Sequence, residues 1–185
     1  MLSVIIPTLD SERPLVRTLA ALVPGATAGL ITEVITADGG SGDETASVAD
    51  IAGCAFMAVN GSLGQRLTAA ASAARAPWLL FLRPGIVLDA TWIGEANSFV
   101  QPAAGDRRAA VFRLGTPAQP PLRQVWLILS AAAGARPRPE QGLLIAKQFY
   151  REIGGHSDRA ADPETELLAR IGRTRLVTLA ATASG

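Results

Sequence analysis

Three short stretches of this chain put polar residues directly after apolar, strand-like runs. Thr8, Leu9 and Asp10 follow "LSVIIP", Asp38, Gly39 and Gly40 follow "EVITA", and Arg83 follows "WLLFL". A carboxylate at a strand tip, such as Asp38, can accept hydrogen bonds from ribose hydroxyls or a base N–H. Gly39 and Gly40 let the backbone approach a ligand or turn tightly. The Arg83 guanidinium offers a planar fork of donors that suits phosphate oxygens. Each residue also has a structural use. Asp38 can start a turn, Thr8 and Asp10 can cap the next helix, and Arg83 can stand solvated at a loop start. Together they favour a site. Two common phosphate cradles are missing: no G-x-G-x-x-G follows a strand, and no G-x-x-x-x-G-K-[ST] occurs. A diphosphate bound here must be neutralised by a metal or by basic side chains.

Strand and helix patterns alternate along the chain and must position these residues. "LSVIIP" ends at Pro7 as a buried strand would, and Leu15, Leu19, Leu22 and Val23 then share a helical face after Ser11. Pro24 and Gly25 are expected to stop that helix. Ser41 and Glu44 match a capping box opening a helix with Val48, Ile51 and Ala52 inward. A strand around 54–59, an alanine-rich helix after Ser62 and the strand "WLLFL" follow. Asp89 can cap a helix that turns Trp92, Ile93 and Ala96 inward. "AAVFRL" and "GLLIA" read as strands, Leu122 to Ala135 as a helix, and Phe149–Ile153 and Glu164–Ile171 as short helices. A last strand, Leu176 to Ala180, precedes a frayed tail. Short connections between alternating elements imply right-handed crossovers and a mainly parallel sheet covered on both faces, a three-layer α/β/α arrangement. Ligands of such sheets bind beyond the carboxyl ends of the strands.

Composition narrows the function classes. The 185 residues suit one domain spanning 1–185, and 49% hydrophobic content suits a compact core. With 17 basic and 16 acidic residues the net charge is +1, so no nucleic-acid partner is expected. Cys54 is the only cysteine, which excludes an internal disulfide and points to a reducing, cytoplasmic setting. No signal peptide is read at the N-terminus. The apolar run from Val125 to Ala135 is too short to span a membrane and reads as a buried helix, with peripheral membrane association as the alternative.

"SVIIPTLDSE" followed by "EVITADGGSGDET" resembles the opening of family 2 glycosyltransferases with the GT-A fold. "QGLLIAKQFYREIGGHSD" and "PETELLARIGR" resemble later segments of the same family, in the same order, and the closest likeness is to small bacterial members. The resemblance implies a GT-A sheet that binds a nucleotide-sugar donor, UDP- or GDP-linked, and an acceptor of unknown identity. Thr8 and Asp38 would meet the nucleoside, with Asp10 and Gly39 beside them, and Arg66 would reach the phosphates. Glu164, with Asp162 in reserve, would be the general base of an inverting transfer; helix N-terminal charge is the competing role for both.

The chain departs from the family at the end of the fourth strand. Where the family carries aspartates that hold Mn or Mg, this chain has Phe81, Leu82, Arg83, Pro84, Gly85 and Ile86, and no carboxylate. No metal ligand is therefore assigned, and Arg83 is expected to supply the missing positive charge. The sole histidine, His156, reads as a surface or acceptor-side loop residue, Arg136 and Arg138 as solvated loop residues, and Trp78, Trp92 and Trp126 as packing residues. Two other functions compete with transfer: a nucleotide-binding scaffold that has lost catalysis, and a nucleotidyltransferase. The second would need a glycine-rich, lysine-containing loop after the first strand, which "PTLDSERPL" lacks. Acceptor choice is expected to lie between Pro102 and Glu140.

Overall fold

The computed structural model describes residues 1–101, 107–115 and 136–185. Among these residues eight strands form one sheet in the order β3-β2-β1-β4-β7-β6-β8-β5. They are β1 (Leu2–Thr8), β2 (Ile31–Asp38), β3 (Ala55–Ala58), β4 (Trp78–Phe81), β5 (Val87–Leu88), β6 (Ala109–Leu114), β7 (Leu143–Ala146) and β8 (Leu176–Ser184). The helices are α1 (Glu12–Thr27), α2 (Thr45–Ile51), α3 (Leu63–Ala73), α4 (Trp92–Val100), α5 (Lys147–Glu152) and α6 (Pro163–Ile171), with a 3-10 turn at Pro139–Gln141.

β1 runs parallel to both its neighbours, with Thr8 level with Asp38 on β2 and Ile5 level with Phe81 on β4. β7 enters antiparallel between β4 and β6, and β5 is antiparallel to β8. The sheet is mixed and mostly parallel.

Alternation along the strands feeds two cores, as period-two patterning requires. Val4, Ile6, Leu80, Leu82 and Phe112 pack toward α1 and α4 on one face. Ile5, Ile35, Leu79, Phe81 and Ile145 pack toward α3, α5 and α6 on the other. Helices thus cover both faces of the sheet.

Several local expectations are corrected. α1 passes through Pro24 and ends at Thr27. Pro24 sits in its last turns, where its carbonyl still accepts from Ala28 N–H, and Gly25 leaves space that a Cβ would lose, 2.4 Å from the Trp92 ring. The Ser41–Glu44 capping box does not form. Ser41 is drawn onto Asp38 instead, α2 starts at Thr45 with no side-chain cap from Glu44 and its Thr45 N–H donated to Asp43, and Ile51 points outward at 87% exposure. Asp89 does not cap α4 directly. Its carboxylate joins the backbone N–H and hydroxyl of Thr91 to those of Thr182. The tail expected to fray is the second half of β8, where Ala181 and Ala183 are buried between β6 and β5. The helix read over Leu122 to Ala135, and Trp126 with it, lies outside the described residues.

Candidate functional site at the strand tips

The tips of β1 and β2 are tied together by polar groups. Thr8 is 1% and Asp38 2% exposed, and Thr8 Oγ1 donates to Asp38 Oδ1 at 2.8 Å. Asp38 also accepts from Ser41 Oγ at 2.5 Å and from the backbone N–H groups of Gly40 and Ser41 at 2.8 Å each. Burial pushes the Asp38 carboxyl up, but the hydrogen bonds from Ser41, Thr8 and Gly40 outweigh it and hold the group below its ordinary value. Asp38 is therefore an anion that organises the turn 38–41. Asp10 stands at the rim with φ 45°, in the left-handed region that aspartate tolerates, and its Oδ1 accepts Gly42 N–H at 2.7 Å.

Arg66 rises from the first turns of α3 and lies across these tips. Its Nη1 donates to the Thr8 carbonyl at 2.7 Å and to Ala37 at 3.4 Å. Its Nε is buried with no hydrogen-bond partner, an orphaned donor beside the turn. Gly39 is what lets the guanidinium lie so close, since a Cβ there would be 2.5 Å from Nη1.

On the far side of β1, the Leu82 N–H donates to Ile5 at 3.0 Å, so β4 stays alongside β1 until the chain turns at Arg83. Adjacent strands lie about 4.8 Å apart, which sets the three tips within roughly 10 Å of one another. Arg83 points toward α6. Its Nε and Nη2 meet Glu164 Oε2 at 2.7 and 2.6 Å, and its Nη1 meets Glu140 Oε1 at 2.9 Å. The three side chains differ in exposure: 34% for Arg83, 46% for Glu140 and 10% for Glu164.

Burial raises the Glu164 carboxyl above its ordinary value, Arg83 pulls it down, and the Asp162 and Glu140 charges push it up again. Asp162 caps α6, accepting Thr165 N–H at 3.1 Å. That contact, with the Arg83 charge, holds it below its ordinary value against a smaller effect of burial. Two carboxyl groups two residues apart are thus split, one kept ionised and one made more basic.

Among the described residues no hydrogen bond or ion pair joins Thr8, Asp38 and Arg66 to the Arg83–Glu164 pair. Both groups nevertheless belong to one layer, because α3 and α6 pack on the same face of the sheet. The donor set does not fit a hard divalent cation. The stretch 81–86 carries no carboxylate, Asp89 is occupied by Thr91 and Thr182, and no cluster among the described residues has metal-ligating composition.

Sequence reasoning did not single out Ser41 or Glu140 as part of this site. Ser41 had the spacing of a helix cap, and Glu140 lay in a proline-rich connection without periodicity. His156 was expected at the surface and is 5% exposed. Its ring is held by Tyr150 and packs edge-on against Phe81, with centroids 4.8 Å apart.

No known family profile matches the chain, and no curated protein matches it. Solved structures do. A mannosyltransferase from Pyrobaculum calidifontis, in complex with GDP-Man and Mn2+, superposes with a TM-score of 0.75 at 15% identity, covering 100% of this chain and 56% of that one. Glucosyl-3-phosphoglycerate synthase from Mycobacterium tuberculosis, in complex with phosphoglyceric acid, gives 0.72 at 16% identity, covering 98% and 70%. TarS residues 1–349 from S. aureus give 0.70 at 15%, covering 100% and 60%. The chain thus spans 60% or less of two of these three structures. At such identities the likeness establishes architecture alone: this chain has the GT-A glycosyltransferase fold.

Proposed function

We propose that the chain is an inverting glycosyltransferase that takes a UDP- or GDP-linked sugar and passes the sugar to an acceptor hydroxyl. The observation that carries this reading is the pairing of a basic, buried Glu164 with Arg83 at the mouth of a GT-A sheet, beside the Thr8–Asp38–Arg66 cradle. Structures of the same fold hold UDP with Mn2+ or GDP-Man with Mn2+. In the proposed reaction Glu164 takes the acceptor proton as the acceptor oxygen bonds to the anomeric carbon. The bond from that carbon to the diphosphate oxygen breaks, and the nucleoside diphosphate leaves with the electron pair. Arg66 and Arg83, both beside the strand tips, are the cations assigned to the negative charge that develops on the leaving group. Glu164 suits the base because its raised proton affinity brings it nearer to that of the hydroxyl.

The test is a panel of UDP- and GDP-sugars assayed for transfer and for donor hydrolysis, with calorimetric titration of UDP in chelator and in Mn2+. Binding that needs no metal and weakens in Arg83→Ala supports the reading. Strong binding that requires Mn2+ and ignores Arg83 overturns the role given to the guanidinium. A second reading is a nucleotide-binding protein of the same fold without catalysis. It is favoured by the two carboxylates that already occupy Arg83. Binding of UDP with no turnover on any donor would select it.

A further inference from the structure

His156 is the only histidine in the chain, and its surroundings decide its tautomer. The Tyr150 hydroxyl accepts the His156 backbone N–H at 3.1 Å and lies 2.9 Å from His156 Nδ1. Thr68 Oγ1 is 3.5 Å from that hydroxyl, and its own proton goes to the His156 carbonyl at 3.2 Å. The single phenolic proton thus has one short acceptor, Nδ1, and one long one, Thr68. Placing it on the short contact makes Nδ1 an acceptor and leaves the ring proton on Nε2. Burial, aided by the Arg170 charge and opposed by Glu166, lowers the imidazole to about 4, so the ring is neutral and keeps one N–H.

A cavity of about 10 Å³ lies between Phe81, Pro139, Leu143, Leu168, His156 and Glu164. That is room for about one water. Apart from the imidazole and the carboxyl group, these side chains are apolar. Arg83 meets Glu164 at Oε2, and Tyr150 meets His156 at Nδ1. His156 and Glu164, both largely buried, border the same small space, and a water there could hydrogen-bond to both side chains.

We infer that His156 is a positioning residue for Glu164: its Nε2–H is tied through one water in this cavity to Oε1, while Arg83 holds Oε2. A carboxylate fixed at both oxygens keeps one orientation; two Arg83 nitrogens already crowd Oε2, so Oε1 is the oxygen with a second lone pair for an incoming hydroxyl. The chain Thr68–Tyr150–His156 then links α3 to the carboxyl group on α6. The value of this contact for catalysis rests on the glycosyltransferase reading, but the contact itself does not.

The test uses the full chain labelled with 15N-histidine, whose two-bond proton correlations report one ring without overlap. The expected result is the Nε2–H form in the unliganded protein. Glu164→Ala should shift the Nε2 resonance and speed exchange of its proton with water, and Tyr150→Phe should convert the ring to a mixture of tautomers. In protein labelled with 13C at the glutamate carboxyl groups, His156→Gln should move the Glu164 titration midpoint. If Glu164→Ala does not fold, Glu164→Met, which also removes the acceptor oxygens, gives the same reading. An Nδ1–H ring, or ring signals that ignore both Glu164 variants, overturns the inference. These spectra need no donor and no acceptor. Absence of turnover would therefore count against the proposed reaction alone, and a lost His156 response with transfer intact would remove His156 and leave Glu164.

Discussion

Arg83 Nε donates to Glu164 Oε2 at 2.7 Å and Nη2 pairs with the same oxygen at 2.6 Å, yet the carboxyl group still binds its proton more tightly than an exposed glutamate. Burial outweighs the guanidinium, which is itself one-third exposed and shared with Glu140. The consequence for stability has a definite sign. Between the ordinary value of 4.5 and the higher folded value, the folded protein keeps a proton that the unfolded chain releases. Stability attributable to Glu164 therefore falls as pH rises through that window and is level above it. Glu164→Gln should flatten this part of the profile, measured as melting temperature from pH 4 to 8. An unchanged slope would place the titrating group elsewhere.

Arg83→Ala leaves the Glu164 carboxylate buried without its partner. The expected cost at pH 7 is about 1–3 kcal/mol, below that of breaking a fully buried pair because Arg83 is partly solvated. The loss should shrink toward pH 4, where Glu164 takes up a proton. Arg83→Lys keeps the charge without the fork and should fall between the two. Urea denaturation of the three proteins at pH 4.5 and 7.5 gives the comparison.

The strands β1, β2 and β4 could be read from the chain because their signals are local, whereas their order β2-β1-β4 comes from the structure. "LSVIIP" and "WLLFL" are apolar runs ended by turn residues, and each is followed by a helix-period pattern. The errors fall where a tertiary partner outcompetes local spacing. Ser41 had the offset of a helix cap, but the buried Asp38 anion claims both its N–H and its hydroxyl. Ala181 and Ala183 alternate as a strand should, yet alanine carries too little β preference to announce one; pairing with β6 and β5 supplies the rest. Arg83 was picked out by its place at a strand tip, and Glu164 by the resemblance of "PETEL" to a family motif. Their pairing was hidden because 81 residues separate them.

Asp89 provides a check on the far edge of the sheet. Its carboxylate accepts four hydrogen bonds, two from Thr91 and two from Thr182, which pin the start of α4 to β8. Burial pushes the group up, and these bonds more than compensate, leaving it at about 2 against an ordinary 3.8. A depressed carboxyl contributes stability above its unfolded value and loses it as pH falls through the folded one. Asp89→Asn should therefore cost about 1 kcal/mol at pH 7, allowing for solvent screening. The difference from the parent protein should narrow between pH 4 and 2. Acid unfolding monitored by circular dichroism would show whether the two curves converge.

Gly39 separates binding from stability. A Cβ at this position would sit 2.5 Å from Arg66 Nη1 and 2.8 Å from Cζ, both at the mobile end of a long side chain. Gly39→Ala is thus accommodated by moving the guanidinium off the Thr8 carbonyl, with little change in melting temperature. If Arg66 meets the diphosphate, UDP affinity should drop about tenfold, or about 1.4 kcal/mol, while affinity for uridine, which has no phosphate, stays within twofold. Gly64→Ala is the contrast: its Cβ would meet the Ser157 carbonyl at 2.1 Å, backbone that cannot swing aside. That variant should lose about 1–3 kcal/mol of stability before any ligand is added. Equal losses of UDP and uridine affinity in Gly39→Ala would detach Arg66 from the phosphates and leave it a brace between the first two strands.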